Sequence, residues 1–203
     1  MRSQKLWTTG FSLLSFLIVV TPAKADLHTW AINEIFSNAA GNVQFIEMRE
    51  LFGSNGQDKL ATSSSFAHTF DTNAINPAYT YLTDLPNAAT ANKLFLMATS
   101  DFDALPNSPT PDYIIPNNFF FVTGDTLNFS EGVSTFTFTN GQLPLNNSSS
   151  LNRDFSTGLN SPTNFAGVTG SVVAPEPSGL LLAAMASVAF LALSRRAKAA
   201  SEL

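Results

Sequence analysis

Cysteine is absent from the 203 residues. Without it the chain forms no disulfide, has no site for a cysteine-linked lipid and performs no thiol chemistry. Its stability must therefore come from apolar burial. Charge is also scarce, at 12% of residues, and basic charge is scarcest in the middle of the chain. Residues 26–174 hold thirteen acidic side chains but only four basic ones (Arg49, Lys59, Lys93 and Arg153), a net charge of −9, while the other six cations lie in the flanks. Such a domain repels phosphate backbones, which argues against nucleic acid as a partner. Histidine is limited to His28 and His68. With no HExxH, no third histidine and no cysteine, a zinc centre has no support. No serine stands in a Gly-x-Ser-x-Gly context, and glycine-rich phosphate loops are missing. The two tryptophans, one of them Trp7 near the N-terminus, offer little for a stacked carbohydrate platform. No cofactor and no metal are expected.

Long apolar runs are also few, and the two present are short. Near the N-terminus, Arg2 and Lys5 precede an apolar segment centred on Phe11 to Val20, followed by Pro22 and Ala23-Lys24-Ala25. A positive start, a compact apolar centre and a small-x-small site describe a secretory signal peptide over residues 1–25, cut after Ala25 so that Asp26 leads the mature chain. Near the C-terminus, Pro175-Glu176-Pro177 precedes an uncharged Leu- and Ala-rich run from Gly179 to Leu193, and Arg195, Arg196 and Lys198 follow. Prolines mark where a helix begins rather than continues. Fifteen residues give a helix of about 22 Å, short for a ~30 Å hydrocarbon core. The basic cluster favours the cytoplasmic side of a membrane.

Taken in this order, the motif, apolar run and basic cluster of residues 175–198 resemble the PEP-CTERM sorting signal of Gram-negative bacteria. The resemblance implies a single transmembrane helix and recognition by an exosortase that cuts near Pro175-Glu176-Pro177, with Arg195 and Arg196 holding the far end in the cytoplasm. It also implies a route. The Sec translocon and signal peptidase act first, the inner membrane holds the chain transiently, and the processed protein reaches the envelope, the cell surface or the medium. PEP-CTERM proteins are associated with extracellular polysaccharide, so that too is an implied partner.

Between the two address segments lies enough chain for one domain with a real core. Eighteen phenylalanines, most of them in this stretch, suit a core built from large rings. Leu27 to Phe36 and Val43 to Leu51 read as strands around the turn cluster Ser37 to Asn42, with Trp30, Ile32, Glu34 and Phe36 on one face at period two. Phe66, His68 and Phe70 alternate as in a half-buried strand. Leu94 to Ala98 reads as a strand buried on both faces. Ala104 to Pro116, with four prolines, reads as an irregular connection. Phe119 to Val122 and Thr126 to Phe129 suggest a hairpin about Gly124, and Val133 to Thr139 a strand ending at the Asn140-Gly141 turn. Many short strands with frequent turns predict an all-β sandwich. Beyond Leu145 the chain becomes rich in Asn, Ser, Thr and Gly and reads as a partly ordered edge followed by a polar stalk, with Phe155, Phe165 and Val168 available to dock. The expected division is thus 1–25 signal peptide, 26–145 β-domain, 146–174 stalk, 175–198 sorting signal and 199–203 tail. Ile32-Asn33-Glu34-Ile35 followed by Phe45-Ile46-Glu47-Met48 resembles the opening of lamin-tail-like domains, over Trp30 to Thr99. That likeness implies an immunoglobulin-like β-sandwich, bracketed here by an N-terminal signal helix and the C-terminal transmembrane helix.

Glu34 and Glu47 are the sharpest polar pair. On adjacent strands they would lie close together, as acid–base partners or metal ligands do. Two close carboxylates repel unless a proton or cation separates them, so bonds to backbone groups or exposure to solvent are the better expectation. Asp101, Asp103 and Asp112 are oxygen ligands in type, but their spacing lacks the glycine turn of a calcium loop. The expectation is therefore a non-enzymatic envelope or matrix protein with a structural or adhesive role. The alternative is a secreted hydrolase or ligand-binding domain using carboxylates such as Glu34 and Glu47.

Overall fold

The computed structural model describes residues 29–62, 69–75, 77–130 and 133–175. The signal segment with Ala23 and Ala25, both histidines, and Glu176, Pro177, Arg195 and Arg196 with the run between them lie outside the described residues. So do the expected terminal helices.

β1 (Trp30–Ser37) and β2 (Gln44–Glu50) form an antiparallel hairpin. Its turn needs Gly41, whose φ of 75° is costly for residues with a Cβ and whose missing side chain leaves room for Asn118. β3 (Thr69–Asp71) and β4 (Tyr79–Thr80) are short. β5 (Leu94–Thr99) leads into the single turn of helix α1 (Ser100–Asp103), where the Thr99 side chain accepts from the Phe102 N–H. β6 (Tyr113–Ile115), β7 (Asp125–Phe129), β8 (Ser134–Phe138), β9 (Ser149–Asn152) and β10 (Thr157–Leu159) complete the order.

These strands make two sheets, one of order β10-β9-β1-β2-β5-β6 and one of order β4-β3-β7-β8. Every pairing is antiparallel except β5 with β6. The fold is all-β, with almost no helix among the described residues.

One core joins the sheets. It takes Trp30, Ile32, Ile46, Met48, Phe95 and Met97 from the larger sheet and Phe70, Leu127, Phe129, Phe136 and Phe138 from the smaller. Rings meet edge to face at Trp30–Phe95 and Tyr81–Tyr113, both with centroids 4.8 Å apart. Such pairs add to the free energy of burial itself. The larger sheet is covered on its other face as well, where Phe36, Phe45, Leu96, Ala98 and Phe102 pack with Val172 and Ala174. Burial on both faces explains why β5 reads as a near-continuous apolar run.

Four expectations change. A bulge between Ile32 and Glu34 shifts the β1 register, so Ile32 and Ile35 share the inter-sheet core while Glu34 and Phe36 turn to the opposite face. Unbroken alternation, which placed Trp30, Ile32, Glu34 and Phe36 together, fails at that one inserted residue. Within the proline-rich connection, Tyr113–Ile115 has no proline and pairs in parallel with β5. Phe119 and Phe120 are buried but make no strand, so β7 pairs with β8 instead. Finally, the stretch read as a stalk is part of the folded body. β9 and β10 extend the larger sheet, and residues 160–174 lie across its outer face. Ser161 and Thr163 there bond carboxylates of the sheet, and Asn160 and Asn164 bond the segment itself and neighbouring loop carbonyls.

Candidate functional site

The bulge sets Glu34 directly opposite Glu47 on the outer face of the β1–β2 pair. Both are only 2% exposed. Two buried carboxylates side by side are costly unless hydrogen bonds or protons compensate them, and residues 160–174 supply the bonds. Glu34 Oε1 accepts from Ser150 Oγ (2.5 Å) and from the Ser161 amide (2.9 Å), while Oε2 accepts from Ser161 Oγ (3.0 Å). Glu47 Oε1 accepts from Asn33 Nδ2 (2.6 Å) and Oε2 from the Thr163 amide (2.8 Å). Asp112, just before β6, continues the row. Its Oδ2 accepts from the Leu96 and Phe165 amides, each at 2.8 Å.

The pattern is regular. Three carboxylates take the N–H groups of residues 161, 163 and 165 from a strap that folds back on itself over the sheet, with Thr163 bridged to Thr169 and the Gly170 amide on the Pro162 carbonyl. Asn160 ties the two arms of the strap together, donating to the Val172 carbonyl and accepting from the Val172 amide, and the Ala174 amide on the Asn147 carbonyl (2.9 Å) pins the second arm. Phe165 is buried, and Lys93 lies 5.6 Å from its ring centroid. Val168 and Phe155, the other two apolar residues expected to dock, remain about half exposed, although Phe155 stacks on Phe136 at 5.2 Å.

Burial pushes the Glu47 carboxyl up to about 7, and the neighbouring charge of Glu34 adds to the rise, against the lowering bonds from Asn33 and Thr163. Burial likewise raises Asp112. A carboxylic acid that titrates near neutrality beside a second carboxylate has the proton affinity of a general acid–base pair. Here, however, every oxygen of the pair is engaged and the strap shuts out solvent. The arrangement can hold a proton and a segment of backbone; it offers no open position for a reacting atom.

The other acidic candidates are not gathered. Asp101 accepts from Asn42 (2.7 Å) and Asn117 (3.4 Å), whereas Asp112 belongs to the strap row. Among the described residues no group of three or more His, Asp or Glu is placed to hold a metal ion, and no helix is long and apolar enough to cross a membrane. Of Pro175, Glu176 and Pro177 only Pro175 is described; it is exposed and follows Ala174, which is 1% exposed. Ser161, Thr163 and Phe165 were missed as partners of the carboxylates. Their available signal was the repeat of acceptors on the sheet, which no local pattern in 160–174 announces. The chain matches no known protein family, no curated protein and no solved structure.

Proposed function

We propose that the chain is an exported, non-enzymatic envelope or extracellular-matrix protein, structural or adhesive in role. In this reading it is carried by the Sec translocon, trimmed by signal peptidase after Ala25, and sorted and processed by an exosortase. The observation that carries the proposal is the order of Pro175-Glu176-Pro177, an uncharged run and Arg195-Arg196. Buried Ala174 adds support, because the packed body reaches the residue before Pro175. The finer fold proposed is an immunoglobulin-like β-sandwich with a lamin-tail-like opening. Two sheets sharing one aromatic core, and Glu34 and Glu47 bonding backbone groups rather than facing an open site, support it. The same bonds count against the hydrolase alternative.

Replacing Pro175, Glu176 and Pro177 with alanine tests the sorting reading, because the prolines keep the substrate peptide extended. In a host that carries an exosortase, the variant is exported but accumulates as a larger membrane-bound form, read by fractionation and mass spectrometry of the termini. Normal maturation of that variant would reduce the apolar run to an anchor.

A further inference from the structure

On the side of the larger sheet where β1 meets β9, a cleft of about 600 Å³ opens to solvent, lined by Asn33, Asn152, Arg153, Asp154 and Ser156. Two irregularities of backbone build it. The β1 bulge leaves Asn33 without a partner on β2; instead its carbonyl accepts from the Arg153 amide at 2.8 Å, and Arg153 Nη1 reaches the Ile32 carbonyl at 3.1 Å. The turn from β9 to β10 then closes through the Phe155 amide on the Asn152 carbonyl (2.9 Å), with Phe155 at φ 63°. A bulky residue rarely occupies that region. Bulges and strained turns concentrate where a side chain must be aimed at a ligand.

The polar groups in the cleft are only partly used. Ser156 donates from its amide (2.9 Å) and hydroxyl (2.5 Å) to one oxygen of Asp154, and Asn152 Nδ2 donates to Ser156 Oγ at 3.2 Å. Among the described residues, nothing bonds Asp154 Oδ2, Asn33 Oδ1 or Asn152 Oδ1, and Arg153 makes no ion pair. One guanidinium and one carboxylate therefore face the same space with free donors and free acceptors.

Charge decides the class of ligand. An anion would meet Asp154 and a strongly acidic domain, and a cation would meet Arg153. A neutral molecule carrying many hydroxyls satisfies both, since each hydroxyl gives one donor and accepts on its lone pairs. The planar guanidinium, carboxylate and amide groups suit adjacent hydroxyls in pairs. The volume lies within the range of small-ligand sites, about 300–1,000 Å³. We propose that this cleft binds a neutral oligosaccharide. The cleft carries this reading without the tail, and sugar binding there would give the matrix role a molecular site, while processing of the tail is read by a different experiment and can fail independently.

The test is an array of neutral and uronic-acid-containing oligosaccharides probed with the full-length protein, followed by calorimetry on the strongest neutral binder. Retention of neutral sugars is expected, with at least about a tenfold loss of affinity in Arg153→Ala and in Asp154→Asn. Arg153 also bonds the Ile32 carbonyl, so Asp154→Asn, which alters only exposed atoms, decides the matter if Arg153→Ala folds poorly. Retention of no neutral sugar overturns the proposal. So does equal binding by the Asp154→Asn variant, or a preference for acidic sugars that Asp154→Asn strengthens.

Discussion

The two faces of the larger sheet are both buried, yet they are held by different physics. The inner face is apolar and aromatic, and its partners are side chains of the second sheet. The outer face mixes Phe36, Phe45, Leu96 and Ala98 with Glu34 and Glu47, and its cover is a strap fixed by hydrogen bonds from backbone to carboxylate. Burial of rings is non-directional and insensitive to pH. A carboxylate row is directional and tied to protonation, so the outer face is the one that sequence changes or solvent conditions can open without dissolving the fold. The comparison makes three predictions of decreasing size.

The largest effect belongs to the inner face. Phe95 is fully buried and meets Trp30, Tyr81 and Tyr113 edge to face. Phe95→Ala removes that ring and leaves a cavity, at a cost of about 3–5 kcal/mol. Urea denaturation followed by tryptophan fluorescence measures it, and both faces should be lost together in one transition. A strap that stays protected after the inner face has unfolded would reverse this ranking of the two faces.

Next in size is the row on the outer face. Asp112 accepts two amides on a single oxygen, one from β5 and one from the strap. Asp112→Ala leaves both N–H groups buried and unpartnered, at a cost of about 2–4 kcal/mol. Asp112→Asn keeps an acceptor in place and should recover most of that loss. Hydrogen exchange gives the sharper reading: the amides of Ser161, Thr163 and Phe165 should lose protection together in the alanine variant, while β2 stays protected. Exchange of Phe165 alone would mean that the strap is a string of separate contacts.

The difference between the faces also explains what the sequence disclosed. Strands built from continuous or alternating apolar residues were legible. Leu94 to Ala98 reads as a doubly buried strand and forms most of β5, and the Ser37 to Asn42 cluster reads as a turn and joins β1 to β2. The adjacency of Glu34 and Glu47 followed from the same hairpin, and of their two expected environments, backbone bonds or solvent, the buried face leaves the first. Three features were hidden. The bulge at Asn33 is one inserted residue with no glycine to mark it, and it reverses the face of everything after it. Tyr113–Ile115 is too short to show a period, and its strand identity comes from pairing with β5. The strap is polar because its partners are carboxylates, and a polar segment looks like a stalk until the acceptors beneath it are known. The cleft shares that origin, since Asn33 and Arg153 meet only once the bulge and β9 are in place.

The smallest predicted effect isolates the proton on the outer face. Glu47 titrates near 7 in the folded chain against 4.5 as its ordinary value. Between these limits the folded state holds more protons than the unfolded state, so stability falls as pH rises. The favourable contribution is full below about 4.5 and is lost as pH passes through 7, and it amounts to on the order of 1–3 kcal/mol. Asp112, also raised by burial, acts with the same sign from a lower starting value. The opposing groups work elsewhere. Asp84, despite some burial, is held near 2 by bonds from Thr62, Ala61 and Lys59. Glu50 is lowered by hydrogen bonds that outweigh its burial. Both lose their contribution only below the ordinary carboxylate range. Moving from pH 8 to pH 5 should therefore stabilise the fold in urea titrations. Glu47→Gln cannot ionise and should flatten that dependence, although its amide accepts on one atom only and so gives up a bond to Asn33 or Thr163. A glutamine variant that keeps the wild-type slope would place the titrating group elsewhere and leave the outer face as indifferent to pH as the inner one.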